Sequence, residues 1–235
     1  MIFDANVDHR LDSNGKDPDS HSPYLKEQHQ LLWSKPLPNG EIFNLEMSPG
    51  GYLRNSSKFG EFHLSSDSIS HSLRNQKRMQ SVIEQIPETE LEEFQAIGST
   101  IGARILFPGN RIEGQATINA ARGFSSKIND RFDLTLECIR LHYQGLANPL
   151  EDSLNRYSDF FRLFQSFDGY VKFFLLQDLV NENYSQVKFY LPHNDSFEDS
   201  PRPDSVENYM QYKKNTIEFV KARNERIQIW VETNL

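Results

Sequence analysis

Ser99 to Tyr143, STIGARILFPGNRIEGQATINAARGFSSKINDRFDLTLECIRLHY, decides how the chain folds. Ile101 to Phe107 is an apolar run of strand length, halted by Pro108-Gly109-Asn110. Past Asn129 or Asp130, which would cap a helix, Phe132, Leu136, Ile139 and Tyr143 recur at i, i+4, i+7 and i+11. That spacing puts them on one buried face, and Gly145 ends the helix. Between strand and helix lies a loop containing Gly109, Gly114 and Gly123, with a second short strand expected at Thr117-Ile118. From Ser99 to Arg131 the cations are Arg104, Arg111, Arg122, Lys127 and Arg131, against Glu113 and Asp130. The segment carries +3 in a chain of net charge -8, so the remainder carries -11.

Toward the C-terminus, Asn148-Pro149-Leu150-Glu151 has the cap, the proline and the acid that start a helix. Leu150, Leu154, Tyr157, Phe161 and Phe164 continue it at helical spacing to Asp168-Gly169. A buried helix is expected over Tyr170 to Val180, a strand over Val187 to Leu191, and an exposed acidic loop over His193 to Ser205. A long helix is expected over Val206 to Trp230. Toward the N-terminus, Ile69 to Gln85 reads as a helix after the cap candidates Ser65 to Ser68, and Thr89 to Phe94 as a short acidic one. Short strands are expected near Ile42 to Met47, Tyr52-Leu53 and Gly60 to Leu64, and a short helix over Pro23 to Trp33. Residues 1–22, rich in Asp, Asn, Ser and Gly, read as a loosely ordered acidic arm, and residues 23–235 as one domain. Runs of strands followed by runs of helices predict an α+β fold. Its small, mostly antiparallel sheet comes from the N-terminal half and packs on helices of the C-terminal half.

Composition sets outer bounds. A 235-residue chain with 37% hydrophobic and 25% charged residues can bury a real core. Its acidic balance argues against non-specific binding to a nucleic-acid backbone, which needs a cationic field. Cys138 is the single cysteine, which excludes an intramolecular disulfide and a thiolate cluster. The first residues show no cationic start followed by an apolar run, and VKFFLLQDLV is too short to cross a bilayer. A cytoplasmic location and no membrane contact are therefore expected.

WSKPLPNG, GEFHLSSDSI, FPGNRI with TINAARG, DRFDLTLECIRLHY, and the run from NPLEDSLNRY through FFLLQDLV resemble a bacterial family of unknown function. The resemblance covers roughly Ser22 to Arg226 and implies a bacterial, intracellular, single-domain α+β protein. It carries over no catalytic residue and no cofactor.

The sequence offers two functional readings. In the first, Arg104, Arg111, Arg122, Lys127 and Arg131 on a glycine-punctuated loop anchor a nucleotide or another phosphate-bearing ligand. The protein is then an enzyme or a toxin-like protein acting on a nucleotide or nucleic acid. No GxxxxGK[ST] or GxGxxG is present. ADP-ribosyl transfer is its sharpest form, because Ser65-Ser66-Asp67-Ser68 with His63 and His71 nearby resembles the serine-bearing strand of ADP-ribosyltransferases. Arg54 would stand for that family's earlier basic residue, and Glu113 or Glu137 for its later glutamate. In the second reading the arginines form structural ion pairs with Glu113, Asp133, Glu137 and the arm, and the protein is a non-catalytic module that binds a protein partner.

The seven histidines form no HxH, HExxH or HxxxH, so no metal site is expected. No GxSxG elbow accompanies a Ser–His–Asp arrangement. Asp133 and Glu137, one helical turn apart, read as an ion-pair network with Arg131 and Arg140. Tyr157, Phe160, Phe161, Phe164 and Phe167 read as core, and Lys221, Arg223 and Arg226 as a solvated face.

Overall fold

A computed structural model of the chain describes residues 3–191 and 196–234. Its sheet has four strands, β1 (Leu45–Met47), β2 (Leu53–Ser57), β3 (Gly60–Ser68) and β4 (Arg104–Pro108), each antiparallel to the next in that order. Alternation along β3 buries Phe62, Leu64 and Ser66 on one face. The strands are offset in register: β2 begins at Leu53, opposite Leu64, whereas β4 pairs with β3 from Leu64 to Ser68. Among the described residues, Ser65 to Ser68 therefore have a strand neighbour on one side only. That free edge is where the chain places its polar site.

The helices are α1 (Pro18–His21), α2 (Pro23–Trp33), α3 (Gln80–Ile83), α4 (Glu88–Ile97), α5 (Ile118–Phe124), α6 (Phe132–Tyr143), α7 (Glu151–Arg156), α8 (Ser158–Arg162), α9 (Phe167–Phe173) and α10 (Val206–Asn234). The fold is α+β, with the antiparallel sheet in the N-terminal half and most helices in the C-terminal half. Its aromatic core is continuous. Phe164 lies 5.0 to 5.3 Å, centroid to centroid, from Phe160, Tyr170, Phe173 and Phe174, and Phe174 lies 5.3 Å from Trp33. Tilted and edge-on pairs of this kind each add about 0.5–1.5 kcal/mol beyond the area they bury.

Several elements depart from expectation for visible reasons. The helix expected over 69–85 is reduced to α3, because β3 runs on to Ser68 and Leu73 sits at φ 59°. Thr117-Ile118 is not a strand: the Thr117 side chain accepts from the Ala120 N–H and caps α5. Asn129 and Asp130 take left-handed conformations (φ 46° and 61°), so Arg131 becomes the cap position of α6. The long helix expected over 148–168 breaks at Tyr157, whose hydroxyl donates to the Asn110 carbonyl, and again at Gln165 (φ 65°). Past α9, Leu175 at φ 55° ends the buried helix, and a single 3-10 turn (Gln177–Leu179) comes next. Val187 makes an isolated bridge to Val180 in place of a strand. In the expected exposed loop, His193 to Asp195 lie outside the described residues, while Pro201 and Pro203 are buried.

The arm is the largest correction. Over residues 3–22 the chain is packed: Ala5, His9, Ser13 and Ser22 are buried. The His9 N–H donates to the Ser99 carbonyl, and the Ala5 N–H to Gln228 Oε1. Its polar composition is absorbed by side-chain hydrogen bonds. Ser22 Oγ donates to Asp12, and Asp17 caps α1 ahead of Pro18.

Arg223 is likewise not on a solvated face. It is fully buried in α10 and donates to the carbonyls of Gly102, Arg104 and Phe174, which ties that helix to the start of β4. Desolvation lowers its pKa to about 10.

Candidate functional site

α1 lies along the free edge of β3, and between them opens a cleft of about 660 Å³. Seven serines line it (Ser20, Ser65, Ser66, Ser68, Ser70, Ser72 and Ser99), together with Asp17, Asp19, Asp67, His71, Arg10, Arg104 and Asn119. Alternation along β3 sorts the functional side chains onto two faces that meet at this edge.

On the face of Ser66, four side chains form a directed chain of hydrogen bonds. Trp33 Nε1–H donates to His29 Nδ1 (2.9 Å), His29 Nε2 meets Ser66 Oγ (3.0 Å), and Ser66 Oγ donates to Asp19 Oδ1 (2.7 Å). Arg104 Nη1 donates to Asp19 Oδ2 at 2.8 Å. Burial holds the His29 pKa well below the ordinary histidine value, so the ring is neutral. Trp33 is donor only, which leaves the His29 proton on Nε2 and makes histidine the donor to the serine. The polarity is thus opposite to that of a Ser–His–Asp triad, in which histidine takes the serine proton. The group placed to receive the Ser66 proton is Asp19, whose carboxyl burial pushes up against the pull of Arg104.

On the other face, Asn119 Nδ2 donates to Ser65 Oγ (3.1 Å), and Asp67 is bound by Arg122. Burial raises the Asp67 carboxyl, again against its arginine. His71 is kept neutral chiefly by burial, and its Nε2 has no hydrogen-bond partner among the described residues. Arg104 Nε and Asn119 Oδ1 are buried and unpartnered in the same way. Buried polar atoms are nearly always satisfied, and these three unpartnered ones belong to residues lining one cleft.

The five cations singled out in the sequence do not converge. Arg104 lines the cleft. Arg122, fully buried, holds Asp67, Thr135 Oγ1 (2.9 Å) and the Asp130 carbonyl (3.0 Å). Arg131 is buried with Asp133, whose Oδ2 also accepts from the Tyr190 N–H. Lys127 is half-buried and lies 3.6 Å from Glu198. Arg111 is exposed and makes no ion pair among the described residues. The ADP-ribosyltransferase-like set does not assemble either: Arg54 pairs with Glu46 and Glu61, and Glu137 with Arg140, away from the cleft. Asp19 and His29 had no motif to reveal them, although Asp17-Pro18 carries the cap and proline of a helix start.

Cys138 is buried, and burial raises its thiol pKa, so it holds its proton. Among the described residues no group of three or more His, Cys, Asp or Glu is placed to hold a metal ion. Nor is any helix among them long and apolar enough to cross a membrane.

No curated protein and no solved structure matches the chain. A family model does, over residues 3–227, a span that takes in the packed arm with Asp19 as well as the sheet and most of α10. The chain belongs to DUF6994, a family of unknown function.

Proposed function

We propose that the protein is an enzyme acting on the sugar part of a nucleoside- or nucleotide-class molecule, bound in the cleft at the free edge of β3. The observation that carries this is the set of three orphaned atoms: Arg104 Nε, a donor; Asn119 Oδ1, an acceptor; and His71 Nε2. A ligand satisfying them must both give and take hydrogen bonds, as hydroxyl groups do. The serine lining supports the same class. A polyphosphate fits less well, since Arg10 and Arg104 face Asp17, Asp19 and Asp67, and Arg10 is already held by Asp8 and Glu92.

Asp19 and Asp67 give the reaction type. Two carboxyl groups raised by burial, each oriented by its own arginine, are suited to protonating a leaving group and stabilising a cationic sugar centre. A thermal-shift panel tests the binding step: ribonucleosides and free pentoses against inorganic pyrophosphate. A concentration-dependent rise with the sugar-bearing compounds, and chromatographic release of base, is expected. A rise with pyrophosphate alone, or with no compound at millimolar concentration, would reject the proposal.

The burial of Arg122 and Arg131 against neighbouring aspartates favours a second reading, the non-catalytic module with structural arginines. The same panel separates the two, because that module needs no small ligand.

A further inference from the structure

A second pocket, about 530 Å³, lies on the turn after α2, between α9 and the end of α10. The turn is built by the WSKPLPNG stretch. Phe43 N–H donates to the Lys35 carbonyl, Leu37 N–H to the Glu41 carbonyl, and Gly40 takes the left-handed conformation (φ 82°) that reverses the chain. Lys35 is thereby fixed with only 7% of its surface exposed, and it lines the pocket. Its Nζ stands 4.7 Å from the Trp33 ring, 4.9 Å from Phe173 and 4.7 Å from Trp230. Among the described residues the amine makes no hydrogen bond and no ion pair, unlike the other buried lysine, Lys213, which holds Glu90 and Glu93.

We propose that Lys35 is a Schiff-base lysine, a buried primary amine that captures a small aldehyde or ketone with an apolar or aromatic body. Phe173 and Trp230, which line the pocket, supply the apolar wall for that body. The chemistry needs no oxidant. The nitrogen lone pair attacks the carbonyl carbon, a C–N bond forms, and the oxygen takes up a proton to give a carbinolamine. Loss of that oxygen as water, with the second hydrogen from nitrogen, leaves the C=N bond.

The step needs the neutral amine, and the surroundings provide it. Ring faces favour the ammonium, but desolvation and the nearby Arg223 charge oppose it and bring the pKa to about 7. The other charged groups lining the pocket, Asp168 and Lys172, are paired with each other at 2.9 Å. At neutral pH the free-amine fraction is roughly a thousandfold larger than for an ordinary lysine.

Benzaldehyde with cyanoborohydride tests this on the full chain, with peptide mass mapping after short exposure at neutral pH. Benzylation of Lys35 is expected at least about tenfold faster than that of exposed Lys172, whose pKa is raised by Asp168. The Lys35 rate should fall steeply on acidification below its pKa. Labelling of Lys35 no faster than of Lys172 would overturn the proposal. So would a Lys35→Met variant whose early labelling matches that of the parent chain.

Discussion

The two pockets bury charge in opposite ways. At the edge of β3, buried Arg104, which lines the cleft, and Arg122, which does not, each hold an aspartate of its lining, Asp19 and Asp67. In the pocket beside α9, Lys35 faces three aromatic rings and pairs with no carboxylate among the described residues. A paired buried charge keeps its ionisation and fixes geometry, but it leaves the carboxylate dependent on its partner. An unpaired one relieves its desolvation by giving up the proton, and it becomes a nucleophile. Substitution at the two sites should therefore have opposite signs.

The largest effect is expected at Arg122. Arg122→Ala removes the partner of Asp67 along with the bonds to Thr135 and the Asp130 carbonyl, so about 3–5 kcal/mol should be lost, read from the urea midpoint. A loss below about 1 kcal/mol would show that Asp67 does not depend on the pair, and the contrast would collapse.

Lys35 should behave the other way. Its folded pKa of about 7 lies below the unfolded value of 10.5, so the unfolded chain binds more protons between these limits. Stability from this group is thus fully present above pH 10.5 and lost as pH falls toward 7. Relative to the parent, Lys35→Met should gain about 3–5 kcal/mol between about pH 10.5 and pH 6.5. Equal pH slopes for the two chains would mean that Lys35 stays charged.

Trp33 joins the two regions, because its ring faces Lys35 while its N–H reaches His29. Trp33→Phe keeps an aromatic face for the amine but orphans His29 Nδ1. A cost of about 1–3 kcal/mol and a change in the His29 ring nitrogen shifts are expected by NMR. An unchanged His29 tautomer would show that Trp33 does not set the direction of the Ser66 hydrogen bond.

How much of this was legible depended on whether the deciding contacts were local. The helix Pro23–Trp33 and the four-strand sheet were carried by caps, prolines and alternation, and the buried face of α6 by its spacing. The serine cluster at 65–68 stood out too, but it read as the cap of a helix over 69–85, whereas it is the end of β3. Asp19 and His29 were not visible: they reach Ser66 across 47 and 37 residues. Lys35 sits inside the WSKPLPNG stretch, yet two of its rings, Phe173 and Trp230, come from the far end of the chain. The basic loop misled because charge counted along sequence does not reveal burial. Arg122 and Arg131 point inward to Asp67 and Asp133, and only the outer cations remain at the surface.

Those outer cations give the smallest expected effect and the baseline for the comparison. Arg111 has no ion-pair partner among the described residues, and Lys127 has only the exposed Glu198 at 3.6 Å. Surface charges of this kind contribute within about 0.5 kcal/mol, because water and salt already solvate them. Arg111→Ala and Lys127→Ala should therefore leave the urea midpoint and any ligand-induced thermal shift unchanged. If Arg111→Ala instead abolished that thermal shift while the fold stayed intact, the ligand would have to lie on the basic loop. The cleft at β3 would then lose its claim to the ligand, although the opposite signs predicted at Arg122 and Lys35 would stand.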